Sequence, residues 1–227
     1  MSIHSDLKDY LEACIADLDL SMNPYFKALR SGEMSKQQFL RSQIEFAPMV
    51  HFFSRPMAQV IANVPNPMPR VALVGNLWEE HGKGVKENVH GKTILTLIDR
   101  LGGDSTQIDL SQPTPYARIF NETLRSVSSF EDYRFSTATF AGIERAFVDI
   151  STMIFQSIVD HGWLPAERIT HYGLHRTLDI EHAEDFLKVV DQDWRNGQSK
   201  DLIKSGIRFG SRLFSNTYIG FYNDMLD

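Results

Sequence analysis

The chain contains one cysteine, Cys14, in 227 residues, so no internal disulfide can staple it. It has no uninterrupted apolar run of the roughly 18 residues that a membrane-spanning helix needs. It also has no excess of positive charge: 29 acidic against 23 basic side chains leave a net charge of −6, which argues against a general polyanion binder and makes nucleic acid a poor partner. The first residues, Met1-Ser2-Ile3-His4-Ser5-Asp6, carry neither a basic region nor an apolar stretch of signal-peptide length. Strand-like alternation, hairpin turns, internal repeats and low-complexity segments are missing throughout. These absences make a cytoplasmic protein without a membrane partner the expectation.

What is present is ordinary for a globular protein: 42% hydrophobic and 23% charged residues, enough to bury one sizeable core. No composition shift marks a boundary, and residues 1–227 read as one domain. Apolar residues recur three and four apart, the helical spacing. A first helix is expected from about Ser5 to Leu20, with Cys14 in its apolar pattern, followed by a turn at Asn23-Pro24 and a short segment from Tyr25 to Leu29. Ser35-Lys36-Gln37-Gln38 has capping-box form and opens a long helix through Phe39 and Phe46 to Ile61, which Pro48 and Pro56 should kink or split. A third helix reaches Trp78-Glu79-Glu80-His81, where Gly82-Lys83-Gly84 interrupts it, and helical spacing resumes from Val89 to Leu101. Further helices are expected from Tyr116 to Val127, on to about Asp160 after Glu131-Asp132, from His175 to about Trp194, and from Leu202 to Tyr222. The sum is an all-α bundle of seven or eight helices.

The richest chemistry lies in His175-Arg176-Thr177-Leu178-Asp179-Ile180-Glu181-His182. On a helix turning about 100° per residue, Asp179 lies roughly 40° and His182 roughly 20° from His175, so all three share one face. Two imidazoles and a carboxylate on one stripe suit iron, manganese or zinc, and such a set with open positions is what O2-activating non-haem iron uses. The plain alternative is a solvated polar face, since Arg176 and Glu181 interleave. A centre inside a bundle draws ligands from several helices, and acids within apolar runs are the candidates. Glu144 sits in Thr139-Phe140-Ala141-Gly142-Ile143-Glu144-Arg145-Ala146-Phe147, where burial demands a metal, a proton or a cation beside it. Glu45, within Ile44-Glu45-Phe46-Ala47, is similar in kind but has Arg41 four residues earlier as a surface partner. For His90 two acids compete. Glu87 stands at the i, i+3 spacing of ferritin-like di-iron proteins, and Glu80 is freed to point inward by the two intervening glycines.

These residues together resemble the haem-oxygenase-like di-iron oxidases, relatives in fold of thiaminase-like and PQQ-synthesis proteins. The resemblance runs from about Asn23-Pro24-Tyr25-Phe26 to Trp194 and is carried by Asn76-Leu77-Trp78-Glu79-Glu80-x-Gly82 with His90, by Glu144, and by His175-x-x-x-Asp179-x-x-His182. It implies a haem-oxygenase-like fold, two Fe(II) per chain or manganese or a mixed Fe/Mn pair in their place, and O2 as co-substrate. It implies Glu80, His90 and His175, or a similar subset, around one ion, and Glu144, Asp179 and His182 around the other, with a carboxylate bridging. Glu45 would match a further carboxylate found in some members. The activities implied are oxidations of a small organic substrate: N-oxygenation of an amine or amino acid, oxidative C–C cleavage, or fatty-acid decarboxylation. An electron donor and a second copy of the chain are compatible partners. A self-sacrificing branch uses a tyrosine and a lysine that this chain lacks, having Phe26 at the tyrosine position and no lysine between Lys92 and Lys188. The same fold also hosts cofactor-independent thiaminase-like and PQQ-synthesis-like enzymes; the hydrolase needs a cysteine by its pocket, and Cys14 on the first helix is poorly placed. A non-catalytic helical interaction module is the third reading. Phe46, Met49, Phe52, Phe53, Phe140, Phe147 and Met153 are the candidates to line a substrate pocket, with plain core packing as the alternative.

Overall fold

The computed structural model describes residues 3–226. Among these, nine α-helices form a single-core bundle: α1 (Ser5–Ala16), α2 (Pro24–Ser31), α3 (Lys36–Asn63), α4 (Pro67–Glu80), α5 (His90–Leu101), α6 (Pro115–Phe130), α7 (Tyr133–Asp160), α8 (Thr170–Asn196) and α9 (Lys200–Asp224). The count exceeds the expected seven or eight because the short segment after Asn23-Pro24 forms a full helix. Proline at its first position and the Asn23 side chain accepting from the Tyr25 amide fix its start, and Gly32 in the left-handed region ends it. No described helix is long and apolar enough to cross a membrane.

The helix boundaries follow local chemistry. The Ser35/Gln38 capping box opens α3, Asn66 and Pro67 open α4, and the Asp132 side chain accepts from the Arg134 amide to open α7. Of the two outcomes expected at Pro48 and Pro56, splitting does not occur: α3 runs as one 28-residue helix with both prolines inside it. Each proline removes one intrahelical donor, and the packing of α3 against α5 and α6 outweighs that loss.

Helix α7 is the central element, packed most extensively against α8 and α9. Every residue from Ser136 to Val148 except Arg145 is buried, so this helix is covered all round. Cys14 is buried in α1, as its apolar neighbours predicted. On the α9 side the backbones touch: a methyl group built on Gly210 would clash with the backbone of Thr139. That contact holds α7, and Glu144 with it, at a fixed depth. Gly210→Ala is therefore expected to destabilise the fold by about 1–3 kcal/mol through overpacking. Chemical denaturation of the variant beside the parent chain measures this, and an unchanged midpoint would count against it.

Candidate metal centre

Helix α8 supplies the centre's spine. His171, His175, Asp179 and His182 are all buried and recur at spacings of four, four and three, the periodicity of a core-facing stripe. The His175 Nδ1 lies 2.9 and 3.0 Å from the two Asp179 oxygens, which assigns its proton to that nitrogen and leaves Nε2 bare. The His182 Nε2 donates to Glu79 Oε2 at 3.1 Å, which leaves Nδ1 bare. That Nδ1 is 3.7 Å from Asp179 and 3.9 Å from Glu144. Both gaps are too long for hydrogen bonds. They match donor atoms around one ion, since ligand bonds of about 2.0–2.2 Å set donors roughly 3–4 Å apart.

Glu144 enters from α7, and Glu144, Asp179 and His182 offer donor atoms that all fall within 4.8 Å of one another. The Glu144 Oε1, the His175 Nε2 and the His182 Nδ1 are buried without hydrogen-bond partners. Such orphans are unfavourable in a folded core unless something absent from the protein itself completes them. Arg145 does not, because it turns towards Glu12 and Asp149.

Helices α4 and α5 bring the second acid–imidazole pair. Glu80 is the last residue of α4 and His90 the first of α5, and Glu80 Oε1 lies 2.9 Å from His90 Nδ1. The connection folds back through Gly82, Lys83 and Gly84, all with positive φ. A Cβ on Gly82 would fall 2.7 Å from the Asn88 and Val89 backbone, so only glycine allows the approach that sets His90 beside Glu80.

A family model described as "iron-containing redox enzyme" matches residues 40–212, a span that holds every acid and imidazole of this cluster. The chain belongs to that family. No curated protein matches the chain in sequence. Solved structures do match in fold. A CADD-like protein of unknown function from Nostoc punctiforme is similar at 14% identity with a TM-score of 0.81, over 98% of each chain. A domain of unknown function with a haem-oxygenase-like fold from Shewanella denitrificans matches at 13% identity and a TM-score of 0.76, over 97% of this chain and 92% of that one. A TenA homologue from Pseudomonas syringae pv. tomato matches at 15% and 0.73, over 97% and 91%. At these identities the likeness establishes the fold alone: the chain has the haem-oxygenase-like bundle.

Six of the seven sequence-derived candidates, Glu80, His90, Glu144, His175, Asp179 and His182, are brought together in this family member. Glu45 is not. It lies one residue from Phe46, which lines the central cavity, and that 100° step turns it to Arg41 at 3.5 Å and towards Asp224. Burial, then the Asp224 charge, pushes its carboxyl up to about 7 against the pull of Arg41. Glu87 is exposed, and His90 is paired with Glu80. Two site residues were not anticipated. Glu79 accepts the hydrogen bond of His182 Nε2–H from outside the cluster, and its signal was the double acid at the end of α4. His171 extends the α8 stripe by one turn, and the same spacing argument applied one step earlier reaches it.

Part of the cluster lines a cavity of about 40 Å³, with Asp179 and His182 outside its lining. Glu80, His90, Glu144, His171 and His175 contribute its polar atoms, while Phe46, Met49, Val50, Phe53, Phe120, Ile143, Phe147 and Phe214 make the rest apolar. Of the expected pocket residues Phe52, Phe140 and Met153 lie elsewhere: Phe52 under Arg125, Phe140 between Phe53 and Phe186, and Met153 in a surface pocket beside α1. Burial, reinforced by Asp179 and Glu80, pushes the Glu144 carboxyl well above its ordinary range. Asp179 is likewise raised, mainly by burial, although His182 opposes it. Burial also acts on Glu80, but His90, His175 and His182 outweigh it and hold that carboxyl low. Burial and neighbouring imidazoles drive His171 and His175 well below the usual histidine range. Burial opposes charge on His90 as well, but Glu80, Asp179 and Glu79 outweigh it and raise that imidazole. Neutral rings such as His171 and His175 are in the form that binds a metal.

Two outcomes follow from this geometry. Glu79→Ala removes the acceptor that orients His182 and should weaken metal binding about 10- to 100-fold, read by competition with a chelator; undiminished affinity would exclude that role. In metal-free protein, the raised Glu144 carboxyl stays protonated where the unfolded chain has already ionised. Its contribution is therefore intact below the unfolded value and is lost as pH rises towards the folded one, by about 1.4 kcal/mol per pH unit. Metal-free Glu144→Gln should accordingly gain stability over the parent as pH rises from 5 to 8, measured by denaturation at each pH, and a pH-independent difference would refute this.

Proposed function

We propose that the protein is a non-haem di-iron enzyme that activates O2 to oxidise a small organic substrate. One observation carries this reading: Glu144, Asp179 and His182 converge within 4.8 Å, buried, beside the Glu80–His90 pair and His175. When bound, two Fe(II) ions supply the electrons that reduce O2, with manganese or a mixed pair as chemically allowed replacements. Glu80, His90 and His175 hold one ion, and Glu144, Asp179 and His182 the other.

The chain's own residues hold, orient and exclude. Asp179 and Glu79 each accept a hydrogen bond from one imidazole N–H and aim the bare nitrogens of His175 and His182 at the centre. The eight apolar residues of the cavity keep bulk water from it. Beside it opens a cleft of about 630 Å³, which shares His90 with the cavity and is bordered by Glu79, Lys83, Thr93, Leu174 and Leu178. This cleft has the size for an organic substrate, whereas the cavity has room on the scale of O2 or a substrate's reacting end. No lysine or arginine lines the cavity, so a substrate carboxylate would meet the metal or Lys83, which now pairs with Glu79 at 2.6 Å. N-oxygenation of an amine or amino acid, oxidative C–C cleavage and fatty-acid decarboxylation are all reactions this arrangement accommodates. A substrate giving up only two electrons would leave two more to an external donor.

The cofactor-independent hydrolase reading finds no nucleophile here, since the sole cysteine is buried on α1 and does not line the cavity. Anaerobic Fe(II) titration of chelator-treated protein, followed by O2 uptake, tests the proposal. About two Fe(II) per chain, with oxidation of both by O2, are expected. His175→Ala and His182→Ala should each lower the bound iron and abolish turnover. Full activity in metal-free protein would overturn it.

A further inference from the structure

The ligands supplied by the α8 motif begin at His175, yet one more buried imidazole sits a turn earlier. His171 is fully buried and lines the cavity shared by Glu80, His90 and His175. Its Nδ1 is 2.9 Å from the Thr93 hydroxyl oxygen. The hydroxyl has one hydrogen, and it is donated to the His90 carbonyl at 3.0 Å. The Thr93 oxygen therefore accepts from His171 Nδ1–H, which leaves Nε2 as a bare lone pair. No hydrogen-bond partner reaches that nitrogen. The apolar residues that complete the cavity have none to offer.

The ring also keeps company with ligands. Its centroid is 4.7 Å from that of His175, which in turn is 4.6 Å from His90. One ring nitrogen tied to a neighbour and the other left bare is how a metal-ligating histidine is held in place. His175 and His182 show the same arrangement through Asp179 and Glu79.

We propose that His171 is a further nitrogen donor to the ion held by Glu80, His90 and His175. The inference rests on the two-metal reading above. It makes the halves of the centre chemically unequal, with three imidazoles and one carboxylate in one, and one imidazole and two carboxylates in the other. Imidazole favours iron, zinc and cobalt-like ions, whereas carboxylate suits manganese, so the two ions differ in affinity and a chelator empties the carboxylate-rich half first.

Titration of metal-free protein with Co(II), followed by its visible d–d absorbance, tests this in the parent chain and in His171→Phe. Phenylalanine suits the site because Phe46, Phe147 and Tyr172 already surround the ring. The variant should bind one of its two Co(II) ions at least about tenfold more weakly, with a changed band intensity, and the other as before. Equal affinities and identical spectra in the two proteins would overturn the assignment while leaving the two-metal reading intact. Failure of the parent chain to bind Co(II) would overturn both. A second measurement needs no variant: in protein with isotope-labelled histidine nitrogens, Zn(II) should move the His171 Nε2 resonance away from that of a bare nitrogen while Nδ1 keeps its proton. An unmoved Nε2 resonance would likewise overturn the assignment.

Discussion

Three carboxylates and four imidazoles share the interior of an all-helical bundle, and no lysine or arginine lines the cavity at their centre. Left to themselves, acids in such surroundings give up their charge, because the desolvation of an ion is costly, unless an imidazole stands against them as His90 does against Glu80. The raised carboxyls of Glu144 and Asp179 are this effect. Cations placed among them would reverse the balance, so a polar interior of this kind suits binding better than folding. An apolar core of the same shape would be the more stable one.

The bundle is arranged to bear that cost. Helix α7 is enclosed on all sides, so the acid it contributes cannot turn to water, and its backbone contact with α9 at Gly210 removes the slack that would let it withdraw. The first half of α8 buries His171, His175, Asp179 and His182, while its second half buries mainly apolar side chains such as Phe186, Leu187 and Val190, with Asp185 and Asp191 among them. One end of the helix builds the site while the other anchors it. The positive φ values at Gly82, Lys83 and Gly84 are accepted in a connection whose outcome is the closeness of Glu80 and His90.

Around the cluster each α8 imidazole is held by a group of its own: His171 by Thr93, His175 by Asp179 and His182 by Glu79. These partners come from α5, from α8 itself and from α4. Ring orientation is thus tied to the relative placement of three helices. A change in how they pack would alter the aim of these imidazoles through the hydrogen bonds, with no side chain of the cluster itself replaced.

Much of this was readable in one dimension. Helical periodicity, capping residues and the absence of strand patterns determined an all-α bundle, and the spacing of His175, Asp179 and His182 put them on one face because a helix turns at a constant angle. Glu144 declared itself by its apolar surroundings. What lay beyond the sequence were relations between helices and rotations about them. Glu45 and Glu144 look alike in their local sequence, yet one turns to Arg41 and Asp224 and the other to the cluster, because the facing elements decide which side of a helix is interior. The choice of Glu80 over Glu87 depended on a left-handed turn that breaks helical phase. Pro48 and Pro56 were overruled by the packing of α3, and the tie from Thr93 to His171 joins residues far apart in the chain. Periodicity is a local property and the sequence contains it; mutual orientation comes from burying all the helices at once, which only the tertiary structure decides.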